Sequence, residues 1–181
     1  MKYYKITLNS VPKFLFCCAV TVNNYKNSFH KKPDFLEIAV NLEGDMVIKN
    51  KDYSRIIKPP ALAVHTSLSD YDLYAYENQT QSHITVGIEA DYSICEVDEH
   101  TAKLRCSEEE YVVFLPDILS LEQRERDILV REIQKIAYLR NSPAPGSKKK
   151  AMGEWFDLCA EIEKMRPLST IDGLRPSAVL Y

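Results

Sequence analysis

Glycine is scarce in this chain, with five residues among 181. A loop that cradles phosphate needs glycines to bring backbone N–H groups close to the anion, and none is available here. Nor is there a GxSxG elbow to expose a nucleophilic serine. The five cysteines (Cys17, Cys18, Cys95, Cys106 and Cys159) are odd in number and contain no CxxC spacing. That argues against a zinc knuckle and against a disulfide framework, and points to a reducing, cytoplasmic setting. Basic charge is not in excess: 23 lysines and arginines face 26 acidic residues, for a net charge of −3. A surface built to grip nucleic acid carries the opposite balance. Long hydrophobic runs are also missing. The strongest candidate, KFLFCCAVTV from Lys13 to Val22, is too short to cross a bilayer and lacks a small-x-small cleavage site. It reads as a buried strand from Phe14 to Val22, and no membrane partner is expected.

What is present suits a folded protein. Apolar residues make up 45% and charged residues 27%, close to the average of soluble domains. A chain of this length buries roughly 70% of its unfolded surface, enough for a substantial core.

Up to about Leu115 the pattern consists of short apolar or alternating runs. The expected strands are Tyr3 to Leu8, Phe14 to Val22, Leu36 to Leu42, Met46 to Lys49, Tyr53 to Ile57, Leu62 to His65, Leu73 to Glu77, Ile84 to Glu89, Ser93 to Val97 and Tyr111 to Leu115. Breakers such as Asn23-Asn24, Glu43-Gly44-Asp45 and Pro59-Pro60 separate them. Many short strands at even spacing predict a sandwich or barrel. After Pro116 the period lengthens to that of a helix. Ser120 and Gln123 have the spacing of a capping box, and Ile128, Leu129, Ile133, Ile136 and Ala137 form one stripe. A second helix carries Met152, Trp155, Phe156, Cys159, Ile162 and Met165 and is closed by Pro167. The expected division is a β-barrel over 1–116, a helical hairpin over 117–166 and a linker over 167–181. In the linker, Ser177 is expected as the N-cap of a helix only just begun at Tyr181.

Candidate functional residues follow from chemistry. A metal in a barrel mouth needs three or four converging N or O ligands. His30, Glu37 and His65 are candidates, but Lys32 stands where alternation would put the next inward ligand, and an ammonium group cannot coordinate. No HxH or HExxH spacing links His65, His83 and His100, which also read as ordinary strand or surface histidines. Glu37 and Asn41 share one face of a strand, and Tyr74 and Tyr76 are expected on one face of another. Eleven tyrosines suit a small-molecule pocket and a barrel core equally well. Lys148 to Lys150 read as a solvated turn. The stripe of Ile133, Ile136, Trp155, Phe156, Cys159 and Ile162 offers more apolar surface than one partner helix covers, so it is expected to bring two copies together.

The stretch FHKKPDFLEIAVNLEGDMVI, Phe29 to Ile48, resembles the first motif of the cupin barrel. His30, Glu37 and Gly44 match, with six residues between glutamate and glycine; Lys32 departs from it. IIKPPALAVHTSLSDYDLY, Ile56 to Tyr74, resembles the second motif, but has Pro60-Ala61 in place of glycine-aspartate, and its His65 is not clearly at the metal-binding position. A metal-poor cupin followed by a helical hairpin looks like the amino-terminal sensing and dimerisation half of an AraC-type bacterial transcription regulator, and RPSAVLY is similar to the entry into that family's first DNA-binding helix. The resemblance implies a mainly β (α+β) chain with a cupin-like double-stranded β-helix, or jelly-roll barrel, and a C-terminal helical hairpin. It implies no enzyme activity, no metal and no cofactor. A small polar or sugar-like effector would bind among His30, Glu37, Asn41, His65, Tyr74 and Tyr76, in a homodimer. DNA would be reached only through a helix-turn-helix domain lying beyond these residues. Two rivals are a metal-dependent cupin dioxygenase or isomerase using His30, Glu37 and His65, and an oligomerisation or storage protein without a ligand.

Overall fold

The computed structural model describes residues 2–105 and 111–165. Pro167, the linker and the RPSAVLY stretch lie outside the described residues. The strands are β1 Lys2–Leu8, β2 Lys13–Asn23, β3 Lys26–His30, β4 Phe35–Glu43, β5 Met46–Lys49, β6 Ser54–Ile57, β7 Ala61–His65, β8 Asp70–Ala75, β9 Thr80–Glu89, β10 Tyr92–Asp98, β11 Val112–Pro116 and β12 Ile118–Ser120. The helices are α1 Glu99–Arg105, α2 Gln123–Asn141 and α3 Ser147–Lys164. The chain is mainly β, with antiparallel sheets and a C-terminal helical part.

Among the described residues, three sheets form, in the orders β12-β7-β4-β9-β2, β3-β8-β5-β6 and β10-β1-β11. β4 lies at the centre of the first. Alternation sends Leu36, Ile38 and Val40 to one face, where they join Leu62 and Val64 of β7 and Ile84, Val86 and Ile88 of β9. Leu129, Ile133, Ile136, Trp155, Leu158 and Ile162 of the helical pair cover that face. The opposite face looks across to the four-stranded sheet, whose Phe29, Met46, Ile48, Tyr71 and Leu73 form a second core. β4 is therefore buried on both sides up to its last two residues, with Glu37 and Asn41 its buried polar side chains.

This arrangement corrects the expected self-association face. Ile133, Ile136, Trp155 and Cys159 are 0% exposed and Ile162 1%, while Phe156 is partly buried with its ring edge-on to Trp155. The chain's own strands and helices cover every residue of the stripe except Phe156, which stays partly exposed. Trp155 is enclosed so fully that its indole Nε1 has no acceptor among the described residues.

Several boundaries also move. The helix start is set by Glu122 and Glu125, not by Ser120 and Gln123: the Glu125 carboxylate accepts the Glu122 N–H at 2.8 Å, and Ser120 instead ends β12, which pairs with β7. The first sheet thus extends past residue 116. Tyr76 does not continue the strand of Tyr74, because β8 stops at Ala75 and residues Tyr76–Asn78 form a 3-10 turn with Glu77 at φ 47°. His30 ends β3, and His100 sits in the first turn of α1, where Asp98 accepts the Thr101 N–H at 2.7 Å.

Gly44 makes the β4–β5 turn. Its φ is +75°, and a Cβ there would lie 2.3 Å from the Thr80 carbonyl oxygen. Both the backbone and the space demand glycine. We expect Gly44→Ala to cost roughly 2–4 kcal/mol in urea unfolding, from left-handed strain and overpacking together. Trp155→Ala should cost about 3–5 kcal/mol in the same assay, and more than Phe156→Ala, because only Trp155 leaves a fully enclosed void.

Candidate functional site

The inner face of β4 carries Glu37, Ala39 and Asn41. Pairing puts Glu37 opposite His65 of β7, Asn41 opposite His83 of β9, and Ala39 opposite Thr85. Of the expected site residues, Glu37, Asn41 and His65 therefore come together between the sheets. Gln81, His83 and Thr85, all buried on β9, join them. Thr85 and Gln81 escaped the sequence reading, although the period of two through Gln81, His83 and Thr85 was the signal that could have revealed them.

A chain of hydrogen bonds runs through this face, and its direction is fixed from one end. The Gly44 carbonyl can only accept, so Asn41 presents its Nδ2 there, at 2.9 Å. Asn41 Oδ1 must then accept from Gln81 Nε2, at 2.6 Å. Gln81 Oε1 is left to accept from His83 Nδ1, also at 2.6 Å. His83 is thereby held as the Nδ1–H tautomer, with Nε2 a bare acceptor. Burial lowers its pKa, which keeps the ring neutral. His65 is neutral for the same reason, pushed down to about 3 by burial and then by His83. Its ring stacks on Phe29 at 4.0 Å and its Nδ1 meets the Tyr71 hydroxyl at 2.6 Å.

Among the described residues Glu37 has no contacting cation. Burial pushes its pKa up to about 7, against the opposing effects of Thr85 and Lys32. Thr85 donates its hydroxyl to Glu37 Oε1 at 2.6 Å, the bond that opposes the rise, with the Ile38 carbonyl as a second acceptor at 3.1 Å.

The space beside these groups is small. Glu37, Asn41, His65, Gln81 and His83 line a cavity of about 30 Å³ that also touches Tyr25, room for one water and far below the ~300 Å³ of a small-molecule pocket. The other expected residues lie outside it. His30 and Tyr74 face a cleft of about 1010 Å³ on the outer side of the four-stranded sheet, with Lys26, Lys31, Lys49 and Lys51. Asp70 binds His30 Nδ1 at 3.3 Å and approaches Lys31 at 3.6 Å, while Asp72 takes the Ser28 hydroxyl at 2.6 Å. Lys26, Lys49 and Lys51 have no ion-pair partner among the described residues. Tyr76 lines neither space. Tyr25, which the sequence did not single out, lines both, and its ring meets His83 edge-on at 5.1 Å.

No family model matches this chain, and no curated protein matches it in sequence. Solved structures do match. Apo ToxT from Vibrio cholerae is 10% identical with a TM-score of 0.46, covering 87% of this chain and 58% of that one. A second ToxT structure is 13% identical with a TM-score of 0.34, covering 97% and 58%. ToxT bound to (E)-4-(8-methylnaphthalen-1-yl)but-3-enoic acid is 12% identical with a TM-score of 0.32, covering 91% and 59%. ToxT is an AraC-family regulator. The chain thus spans about three fifths of the length of these structures, at a likeness too loose to assign a role.

The candidate site does not gather His30 with Glu37 and His65. His30 is on the outer face, across the four-stranded sheet from the other two, so the three-ligand set of a cupin enzyme is not assembled. Among the described residues no group of three or more histidine, cysteine or acidic side chains has metal-binding geometry.

Glu37 gives the site a pH dependence whose sign follows from its raised value. The folded chain holds the proton more tightly than the unfolded one, so the stabilisation is complete below the ordinary value of 4.5 and is lost as pH rises through about 7. Glu37→Gln should match the parent near pH 4.5 and exceed it by about 2–3 kcal/mol near pH 8 in urea unfolding. His65 acts in the opposite sense, losing stability as pH falls below the ordinary histidine value of 6.5. Both proteins carry it, so it drops out of the difference.

Proposed function

We propose that this chain is the effector-sensing region of an AraC-type transcription regulator, with the two facing sheets acting as a cupin-type barrel. The observation that carries this reading is the sharing of β4 and β9. Their inner face holds the polar row that reaches the cleft through Tyr25, and their outer face seats α2, against which α3 packs. A ligand that changes the seat of Tyr25 acts on His83 and so on the two strands against which the helices pack. The helices would pass that change to a helix-turn-helix domain, the part of such a regulator that contacts DNA.

The outer cleft, not the inner cavity, is the receptacle in this reading, because only it has the volume for a metabolite. Its four lysines outnumber the carboxylates of Asp52, Asp70 and Asp72, and three of them have no ion-pair partner among the described residues, which favours a small polar anion over a neutral sugar. The inner row then reads occupancy and does not contact the ligand. This is binding without catalysis: the effector shifts a population between two arrangements by its unequal affinity for them.

Thermal unfolding against a panel of small carboxylates, sugar phosphates and neutral sugars tests the proposal. One anionic compound should raise Tm by about 5–10 °C at a hundredfold excess over its Kd. The shift should vanish in Lys26→Glu/Lys49→Glu and persist in Glu37→Gln. Stabilisation by a neutral sugar alone, or by no compound in the panel, would remove the reading.

A further inference from the structure

The charges of the outer cleft stand in an order that a single anionic group does not fit. β8 runs down the middle of the cleft floor, between β3 and β5. Register sets Lys26 of β3 beside Tyr74 and Lys49 of β5 beside Asp72, and all four side chains line the cleft. The lysines without an ion-pair partner among the described residues therefore occupy opposite flanks. Lys26 is on one, and Lys49 with Lys51, which follows β5, is on the other. Two strand spacings and a stagger of two residues put the Cα atoms of Lys26 and Lys49 about 12 Å apart.

The floor between the flanks is acidic. Asp70 is occupied by His30 at 3.3 Å and Lys31 at 3.6 Å. Asp72 is held more loosely: His30 Nε2 stays 3.8 Å away, and Lys49, directly opposite, makes no ion pair with it. It accepts the Ser28 hydroxyl at 2.6 Å, and a carboxylate has room for about four such bonds. Lys26 and Lys49 can converge on one anionic group only above β8. There the Asp72 carboxylate repels it.

We propose that the effector is a small dianion, with one anionic group for each flank and a hydroxyl between them that donates to Asp72. Negative groups at the two ends each meet an ammonium and stay clear of the floor. A central hydroxyl turns the floor from a repelling charge into an acceptor. Asp72 thereby becomes the residue that decides which anion is admitted, and half-buried Tyr74 beside it gives the carbon chain a ring to lie against. Asp52 also lines the cleft next to Lys51, and with two lysines on that flank it lessens the positive charge without cancelling it. This choice of ligand rests on the cleft being the receptacle, and adds what separates one anion from another.

Isothermal titration calorimetry on the full 181-residue chain tests it with acids of equal chain length: galactarate, adipate, gluconate and hexanoate. Galactarate should bind about tenfold more tightly than gluconate, which lacks the second charge, and about fivefold more tightly than adipate, which lacks the hydroxyls. Hexanoate, with neither, should be the weakest. Lys26→Gln and Lys49→Gln should each bring galactarate down to the affinity of gluconate. Asp72→Asn, which leaves the floor uncharged, should remove most of galactarate's advantage over gluconate. Equal affinities for the two in the parent overturn the dianion and leave the cleft a receptacle for anions. An advantage unchanged in Asp72→Asn overturns it as well. If none of the acids binds while a sugar phosphate still raises Tm, the dianion alone falls; if no anion acts at all, both readings fall. Should a variant fail to fold, the ranking of the acids by the parent decides.

Discussion

The burial of β4 on both faces governs most of this structure. A strand with no wet side must place any polar side chain against another polar side chain. Leu36, Ile38 and Val40 meet the helices, so the two buried polar residues of the strand, Glu37 and Asn41, lie on the other face. There Glu37 and Asn41 find Thr85, Gln81 and His83 on the neighbouring strand, and the polar row exists because nothing else could satisfy them. The same constraint ties the row to the helical pair, since one backbone holds both.

Much of this was legible before any coordinates. The central strands and both long helices follow from periodicity, and alternation alone put Glu37 and Asn41 on one face. What stayed hidden has physical causes. β3 and β12 are short, and β3 is neither alternating nor apolar, so neither leaves a period to detect. α1 is a short helix held at its start by Asp98, a local cap with little apolar stripe behind it. Nothing in DYDLYAYEN announces that Glu77 takes a left-handed backbone, so alternation alone puts Tyr76 on the face of Tyr74.

The helical stripe failed for a different reason. Periodicity shows that a face will be buried but not against what. Trp155 and its neighbours were too much for one partner helix, and the surplus went to the sheet of the same chain. The candidate site divided on similar grounds: His30 and Glu37 are close in sequence, yet β3 and β4 lie in different sheets, and the two side chains point to opposite sides of one layer.

The row that starts at the Gly44 carbonyl has a further property. Because each amide hands its donor to the next, turning one of them over sets donor against donor on one side and acceptor against acceptor on the other. A reversed row would also leave the Gly44 carbonyl facing an amide oxygen, so Asn41, Gln81 and His83 are held in one sense by a single backbone acceptor at the end of the row.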